Sequence, residues 1–197
     1  MAVARLARPG EEGAVAGALA AAFAEDPTFN WLFQAEDTRP MFVTTWMRGA
    51  AESAIASGTC WVAVEGDEVV ASAIWSAPGQ PSMSPEITER LRAMLFGVNG
   101  PRTAEVGAFF GEVFGQHPEE PHWYLSILGA STRGQGHGQV AIEPVLRICD
   151  AAGELAWLES SNPRNIGFYE RLGFETAVDL RPDGGGPLLT CMGRTPR

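Results

Sequence analysis

The chain has 197 residues, of which 45% are hydrophobic and 19% charged, a balance that suits one folded domain and excludes global disorder. Its formal net charge is −10 and every basic residue is an arginine, which excludes the broad basic face that nonspecific nucleic-acid binding needs. The three scattered cysteines form no CxxC motif and no His/Cys cluster, so we expect no disulfide framework, no metal and a cytoplasmic, reducing location.

The N-terminal half predicts an α/β arrangement. We predict, in chain order, a strand, an Ala-rich helix, an aromatic-rich loop, a second helix and a hairpin turning at Gly66-Asp67, at residues 2–7, 11–24, 27–38, 39–57 and 60–76. The apolar run in the first helix is about half the length of a membrane span, and Glu11 and Glu12 interrupt the pattern of a signal peptide. We therefore expect no membrane association.

The C-terminal half adds two helices and then alternating strands and helices. The predicted helices lie at 85–96, 103–115, after Gly138 and around Tyr169, and the predicted strands lie at 122–128, 155–160, 175–180 and 188–192. This order predicts a mixed α/β fold, with a mostly antiparallel sheet flanked by helices, in a single domain over residues 1–197.

A glycine-rich turn, residues 133–138, separates one predicted strand from the next helix. Glycines at this place leave the backbone N–H groups of a helix N-terminus accessible, and such N–H groups bind phosphate. Many turns between a strand and a helix, however, carry glycine only because the turn is tight. A P-loop is excluded because no Gly-Lys-Ser/Thr occurs. A dinucleotide site fits poorly: Glu159 has the spacing of a ribose-binding acid, but Gln139 stands where the third glycine belongs.

The turn and the run Pro163-Arg164-Asn165-Ile166-Gly167-Phe168-Tyr169-Glu170-Arg171-Leu172-Gly173-Phe174 together resemble the GNAT superfamily of acetyl-CoA-dependent N-acetyltransferases. Within it the chain resembles the puromycin N-acetyltransferase-like small-molecule enzymes, most strongly over 117–174. The resemblance implies two splayed central strands and acetyl-CoA as co-substrate. Of two registers for the pyrophosphate motif, we choose Arg133, Gly136 and Gly138, because the other puts Val140 where a small residue is needed.

The resemblance also implies roles for individual residues. Tyr169 would protonate the departing thiolate, although a tyrosine on such a segment is often only part of the core. From its place at the end of a predicted strand, and apart from the resemblance, Glu159 is a candidate general base or, as we favour slightly, orients its loop by accepting backbone N–H bonds. The implied coenzyme contacts are Leu128, Ala130, Arg133, Gly134, Gln135, Gly136, His137, Gly138, Gln139 and Asn165. The three histidines show no dyad, and His122 is the only plausible base among them.

The acceptor is expected to be a primary amine of a small molecule, an antibiotic or a related metabolite, which attacks the thioester directly. Residues 27–58 and 78–115 match the family poorly, so acceptor specificity is expected there, with 78–115 as a helical insertion. Candidate acceptor contacts are Asp26, Phe29, Trp31 and Trp75. Core packing explains each of the three aromatic residues at least as well, and a solvated helix end is the favoured explanation of Asp26. A monomer or homodimer is expected. The alternative function is a non-catalytic module that senses acyl-CoA.

Overall fold

A seven-stranded sheet with helices on both faces forms the protein, and the computed structural model describes all residues, Met1–Arg197. The strands are β1 (Val3–Leu6), β2 (Cys60–Glu65), β3 (Glu68–Ser76), β4 (His122–Ala130), β5 (Leu155–Ser160), β6 (Glu175–Leu180) and β7 (Leu189–Arg194). The helices are α1 (Glu12–Ala22), α2 (Pro27–Leu32), α3 (Arg39–Ala56), α4 (Pro85–Asn99), α5 (Thr103–Phe114), α6 (His137–Ala152) and α7 (Ile166–Arg171). No helix is both long and apolar enough to cross a membrane.

The sheet order is β1-β2-β3-β4-β5-β7-β6, and β4 with β5 is the one parallel pair. This mixed, mostly antiparallel sheet flanked by helices confirms the fold class predicted from the sequence.

The two central strands part soon after they meet. β4 and β5 pair only from His122↔Leu155 to Tyr124↔Trp157. At the point of parting, the register between β3 and β4 skips Ser126, whose hydroxyl donates to the Ile74 carbonyl at 3.1 Å. A bulge of this kind bends its strand, and bulges are frequent next to functional sites. The bulge therefore directs β4 away from β5 and opens the middle of the sheet.

Each face of the sheet has its own apolar core. On one face α1 and α3 pack on the sheet through fully buried residues such as Val15, Leu19 and Met47. On the other face α6 packs through Ile142 and Val145. Because helices cover both faces of the sheet, the opening between β4 and β5 is where groups from the two faces can approach each other.

The prediction of a loop over 27–38 was wrong for its first half, because α2 occupies Pro27–Leu32. Asp26 caps this helix by accepting hydrogen bonds from the backbone N–H groups of Thr28 and Phe29 at 2.9 and 3.1 Å. Pro27 stands at the first helical position, where its missing N–H costs nothing. An Asp-Pro pair is a helix-start signal as well as a stop signal, and here it serves as the start.

Gly129 of β4 lies in close contact with α1. A Cβ at this position would lie 2.7 Å from Ala22 Cβ and 3.1 Å from Leu19 Cδ2 of α1. We expect Gly129→Ala to lower the free energy of unfolding by about 1–3 kcal/mol through overpacking. Urea denaturation measures this change.

Gly17→Ala, in α1, is the matched control, because its new methyl group meets nothing within 4 Å. This change removes a helix glycine and should raise stability by about 0.5–1 kcal/mol. A Gly129→Ala protein as stable as the wild type would contradict the close packing of α1 on β4.

Candidate functional site

A cleft of about 670 Å³ lies at the opening between β4 and β5 and is called here the long cleft. Its walls come from the end of β4, the turn before α6, and the segment from Asn162 to Leu172. Most of the predicted coenzyme contacts line it, namely Leu128, Ala130, Arg133, Gly134, Gly136, His137, Gly138, Gln139 and Asn165. Gln135 instead faces a neighbouring hollow beside Glu65 and Glu143. The coenzyme roles of these residues remain predictions.

The N-terminus of α6 opens into the long cleft. Gly136 precedes the first helical residue with φ 77°, a left-handed conformation that favours glycine. Gly138 has an ordinary helical backbone, and a Cβ there would meet only Phe168 at 3.9 Å. No side chain caps the first turn of this 16-residue helix, so its N–H groups suit an anionic ligand.

Three arginines surround the same cleft in a chain of net charge −10: Arg133, Arg164 and Arg171. They come from the glycine turn and from the segment that leads into and through α7. Cations gathered at one cleft of an acidic protein supply the local positive potential that a polyanion needs. The cleft therefore fits a nucleotide-type pyrophosphate ligand with a neutral arm reaching between the strands.

Tyr169 of α7 lines the long cleft and is only 7% exposed. Burial, followed by the negative charge of Asp26, raises the pKa of its phenol. A phenol with a raised pKa keeps its proton at neutral pH, so it can donate that proton to a developing anion. Its role as general acid remains a prediction.

Asp26 lies where the long cleft meets a second cavity. It lines both, as does Phe23. Besides capping α2, its carboxylate accepts a 2.6 Å hydrogen bond from Ser161 Oγ. Burial raises the pKa of Asp26 despite these hydrogen bonds. This carboxylate therefore stands next to Tyr169 at the junction of the two spaces.

The second cavity, called here the aromatic cavity, has a volume of about 160 Å³. Its apolar wall contains Phe29, Trp46, Phe110 and Phe114. The Phe110 ring stacks between the rings of Trp46 and Phe114, with a centroid distance of 6.2 Å to each. Its ionisable lining groups are Asp26, Tyr124 and Glu159, and no arginine or histidine lines it. An apolar space bounded by two carboxylates and no cation suits a cationic group with an apolar body.

Glu159 is almost fully buried, with its side chain 6% exposed. Its Oε1 accepts a 2.6 Å hydrogen bond from Trp157 Nε1 and lies 3.0 Å from His117 Nε2. His117 in turn contacts His122, with 3.1 Å between Nδ1 and Nε2. The prediction that the histidines form no dyad was therefore wrong, because the 117–122 loop folds back and brings the two rings, tilted by 59°, to a centroid distance of 5.2 Å.

Two of the predicted acceptor contacts lie elsewhere. Trp75 is 1% exposed and belongs to the core on the α6 face of the sheet, so its prediction as an acceptor contact was wrong. The side chains of a strand alternate between faces, and Trp75 points away from the aromatic cavity. Trp31 does not line the cavity but packs on Phe109, which does, with ring centroids 4.8 Å apart.

The sequence reasoning missed Ser161, Tyr124 and His117. Ser161 follows Glu159 by two positions, so the period of a strand could have placed both on one face. His117 carries no local signal, because its contact with Glu159 joins a loop to a strand 42 positions away. No group of three or more His, Cys, Asp or Glu side chains is arranged to hold a metal ion.

The sequence profile of the acetyltransferase (GNAT) family matches residues 18–174. The chain belongs to this family. A curated relative, an uncharacterized N-acetyltransferase of Schizosaccharomyces pombe, is 37% identical over 82 residues, which are 40% of this chain and 33% of the relative. The chain thus spans about a third of the length of that relative. The closer resemblance to puromycin N-acetyltransferase-like enzymes remains a prediction.

Solved acetyltransferases share the fold. A Corynebacterium glutamicum protein described as histone acetyltransferase HPA2 and related acetyltransferase has a TM-score of 0.74 at 23% identity, covering 100% of this chain and 97% of its own. The arylalkylamine N-acetyltransferase 2 of Aedes aegypti has a TM-score of 0.63 at 14% identity, covering 100% and 99%. The polyamine N-acetyltransferase of Drosophila melanogaster, described as forming N-acetylagmatine, has a TM-score of 0.60 at 17% identity, covering 99% and 100%. These identities establish the fold alone.

Gly138 gives the cleanest test of the α6 N-terminus as the pyrophosphate site. Gly138→Ala should leave folding unchanged, because its methyl group meets only Phe168 at an ordinary distance. The methyl group would occupy the space in front of the helix N-terminus and should weaken coenzyme A binding at least tenfold, about 1.4 kcal/mol. Calorimetric titration with coenzyme A measures the affinity.

Gly97→Ala in α4 is the matched control, a helix glycine with open space around it and no place in the cleft. Gly136 is a poorer choice, since any side chain there is strained by φ 77°. Equal coenzyme affinity in Gly138→Ala and Gly97→Ala would show that the pyrophosphate binds elsewhere.

Proposed function

We propose that the chain is an N-acetyltransferase that uses acetyl-CoA and moves the acetyl group directly onto a primary amine of a small molecule. The observation that carries this proposal is the meeting of two complementary spaces at Asp26, a cleft suited to a pyrophosphate ligand and an aromatic cavity suited to a cation. Membership of the acetyltransferase family supports the reaction type.

The residues of the long cleft fit coenzyme A. The helix N-terminus and the three arginines would hold its phosphates, and the backbone of β4 near Leu128 and Ala130 would pair with the amides of its pantetheine arm. Asn165 would contact the same arm. Bound there, acetyl-CoA supplies a thioester that an amine can attack.

Tyr169 would then protonate the thiolate leaving group. Its raised pKa keeps the phenol protonated at neutral pH, and Tyr169 lines the cleft close enough to Asp26 to be affected by its charge. Asp26 and Ser161 would orient the incoming amine from the opposite side, since their hydrogen bond of 2.6 Å fixes the carboxylate at the junction. Glu159 would provide the negative charge deeper in the aromatic cavity.

Direct transfer is supported by the state of the cysteines. Cys60, Cys149 and Cys191 are free and buried, and burial raises their pKa values to about 11, 12 and 12. None offers the accessible thiolate that an acetyl-cysteine intermediate needs. Free cysteines also fit the cytoplasmic location that we propose.

The acceptor would be a compact amine with an aromatic or short alkyl body. A cavity of about 150 Å³ holds a benzene ring, and the aromatic cavity is of that size. Residues 78–115 would shape this specificity, because Met83 and the α5 residues Phe109, Phe110, Val113 and Phe114 line the cavity. The arylalkylamine acceptor for which one structural relative is named has the same chemistry. A nucleoside antibiotic such as puromycin has a larger body and should be a poorer acceptor.

Tyr169→Phe tests the proton donor. The change removes only a hydroxyl, so folding and coenzyme affinity should persist, while kcat should fall by about 10²–10⁴. Thiol release from acetyl-CoA with saturating amine measures kcat. Tyr124→Phe makes the same deletion beside Glu159 and should reduce kcat far less. If the kcat of Tyr169→Phe stays within about threefold of the wild type, Tyr169 is only a core residue and does not donate the proton.

A competition among amines tests the acceptor class. Phenylethylamine should give the highest kcat/KM, followed by puromycin and by agmatine, whose guanidinium is a second cation, with a Lys-rich peptide and an aminoglycoside last. Burial of an apolar body contributes about 25 cal/mol per Å², whereas each additional buried cation needs its own partner. A peptide or aminoglycoside that ranks first would contradict the assignment of the aromatic cavity. Coenzyme binding without turnover of any amine would indicate the acyl-CoA-sensing alternative.

A further inference from the structure

One wall of the aromatic cavity is built by a small apolar cluster that is separate from the two large cores of the sheet. It consists of Phe109 and Val113 of α5 and Leu189 of β7, and all three line the cavity. None of the three is more than 6% exposed, so this wall is closed to solvent. The largest member is Phe109, and the position of its ring depends on the groups that lie behind it.

The loop between β6 and β7, residues 181–188, lies against the Phe109 ring. A Cβ at Gly186 would stand 2.8 Å from Phe109 Cδ2 and 2.9 Å from Cε2, closer than carbon atoms pack. Gly186 does not line the cavity, so it contacts the ring from outside. Its φ of 109° lies in the left-handed region that favours glycine. The loop therefore follows the ring closely because residue 186 has no side chain.

Trp31 of α2 supports the same ring beside Gly186. The ring centroids of Trp31 and Phe109 lie 4.8 Å apart at an interplanar angle of 41°. Arg102 fixes Trp31, because its guanidinium lies 4.8 Å from the indole centroid and donates a 3.1 Å hydrogen bond to the Trp31 carbonyl. Glu105 holds Arg102 in an ion pair at 3.1 Å. The indole is thus held in place from its outer side.

The β6–β7 loop is anchored to the helix that carries Phe109. The backbone N–H of Asp183 donates to Glu112 Oε2 at 3.0 Å. The Glu105 side chain lies against Gly185, where a Cβ would stand 3.0 Å from Oε1. Glu105, Phe109 and Glu112 are spaced four and three residues apart, so they share one face of α5. The helix therefore fixes the distance between the loop and the ring.

The Phe109 ring has packed groups on its outer side and the cavity of about 160 Å³ on its inner side. Protein interiors are close-packed, so a change of volume behind a ring is transmitted to the ring. A group added on the outer side moves the ring into the cavity, and a group removed there lets the ring move outward. The volume behind Phe109 thus controls the volume in front of it.

We propose that Gly186 and Trp31 set the size of the acceptor body that the aromatic cavity admits, by holding the Phe109 ring. This inference rests on the proposed function and adds a specificity determinant to it. Both are positioning residues, because neither lines the cavity. With glycine at 186 and tryptophan at 31, the cavity has the volume of about 150 Å³ that holds one benzene ring. A phenyl body is therefore accepted and an indole body is disfavoured.

Gly186→Ala tests the outer side by adding one methyl group. The methyl group pushes the Phe109 ring inward, so KM for phenylethylamine should rise about tenfold, the discrimination that one methylene gives in an apolar pocket. KM for ethylamine, which lacks the phenyl body, should change less than about threefold, and kcat at saturating amine should persist for both. Thiol release from acetyl-CoA measures these constants.

Trp31→Leu should act in the opposite direction. The smaller side chain leaves space behind Phe109, so the ring can move outward and the cavity can admit an indole. The ratio of kcat/KM for tryptamine to that for phenylethylamine should rise about tenfold. This variant decides the inference alone if Gly186→Ala does not fold, because Trp31→Leu imposes no backbone strain.

Two alanine variants are matched controls. Gly184→Ala lies in the same loop, where its Cβ meets α5 only at 3.6 Å or more. Gly10→Ala has a similar backbone strain, with φ 94°, and its Cβ meets nothing within 4 Å. Both should keep the wild-type KM values. Equal factors for ethylamine and phenylethylamine in Gly186→Ala, or an unchanged or lower tryptamine ratio in Trp31→Leu, would overturn the inference.

Equilibrium binding separates this inference from the proposed function. Calorimetric titration of the protein, saturated with coenzyme A, with ethylamine, phenylethylamine and tryptamine should show the same shifts in relative affinity without turnover. A wild type that binds these amines but releases no thiol from acetyl-CoA would overturn the proposed function alone. A wild type that acetylates them, with variants that leave their relative affinities unchanged, would overturn this inference alone. A wild type that neither binds nor acetylates any of them would overturn both.

Discussion

The divergence of β4 from β5 is the constraint on which the site depends. Because the two strands pair over only three residue pairs, the remainder of β4 faces the opening with backbone N–H and C=O groups that β5 does not reach. Such groups need a partner, and an extended ligand that carries amides can supply one. Through the same opening, the charge of Asp26, from the α1 face of the sheet, affects Tyr169, from the α6 face. Without the opening, the two layers would be separated by a continuous sheet.

The charge distribution separates the two halves of the site. A net charge of −10 attracts a cationic amine and repels an anionic coenzyme at long range. That repulsion is screened within about 8–10 Å at physiological salt, so local groups decide coenzyme binding. The arginines and the α6 N-terminus lie on the long cleft, Glu159 lies on the aromatic cavity, and Asp26 lies at the junction of the two. Each space therefore has the sign of charge that its proposed ligand requires.

The sequence predicted the fold class and the turn before α6 well, because both depend on local patterns. Strand and helix periods, together with Gly136 and Gly138, place a helix N-terminus after a central strand. The assignment of 27–38 as a loop failed because Asp26-Pro27 was interpreted only as a helix end. The bulge at Ser126 had no counterpart in the sequence pattern, since it arises from how β3 and β4 align.

The acceptor side was less predictable because it is assembled from distant segments. Phe29 from α2, Phe110 from α5 and Glu159 from β5 meet only in the folded protein. Trp75 was a poor candidate for a physical reason: the sequence does not say which face of β3 the cavity lies on, and Trp75 points to the other face. The contact between His117 and His122 depends on the course of a proline-flanked loop, which side-chain spacing does not reveal.

A crystal structure of the protein with coenzyme A tests the central claim most directly. The account predicts that the pyrophosphate lies on the α6 N-terminus, that the pantetheine amides pair with β4 near Leu128 and Ala130, and that the sulfur lies about 3.5 Å from the Tyr169 hydroxyl. It also predicts that the sulfur faces Asp26 and the aromatic cavity. A coenzyme bound outside the opening, or with its sulfur turned away from both Tyr169 and the aromatic cavity, would contradict the account.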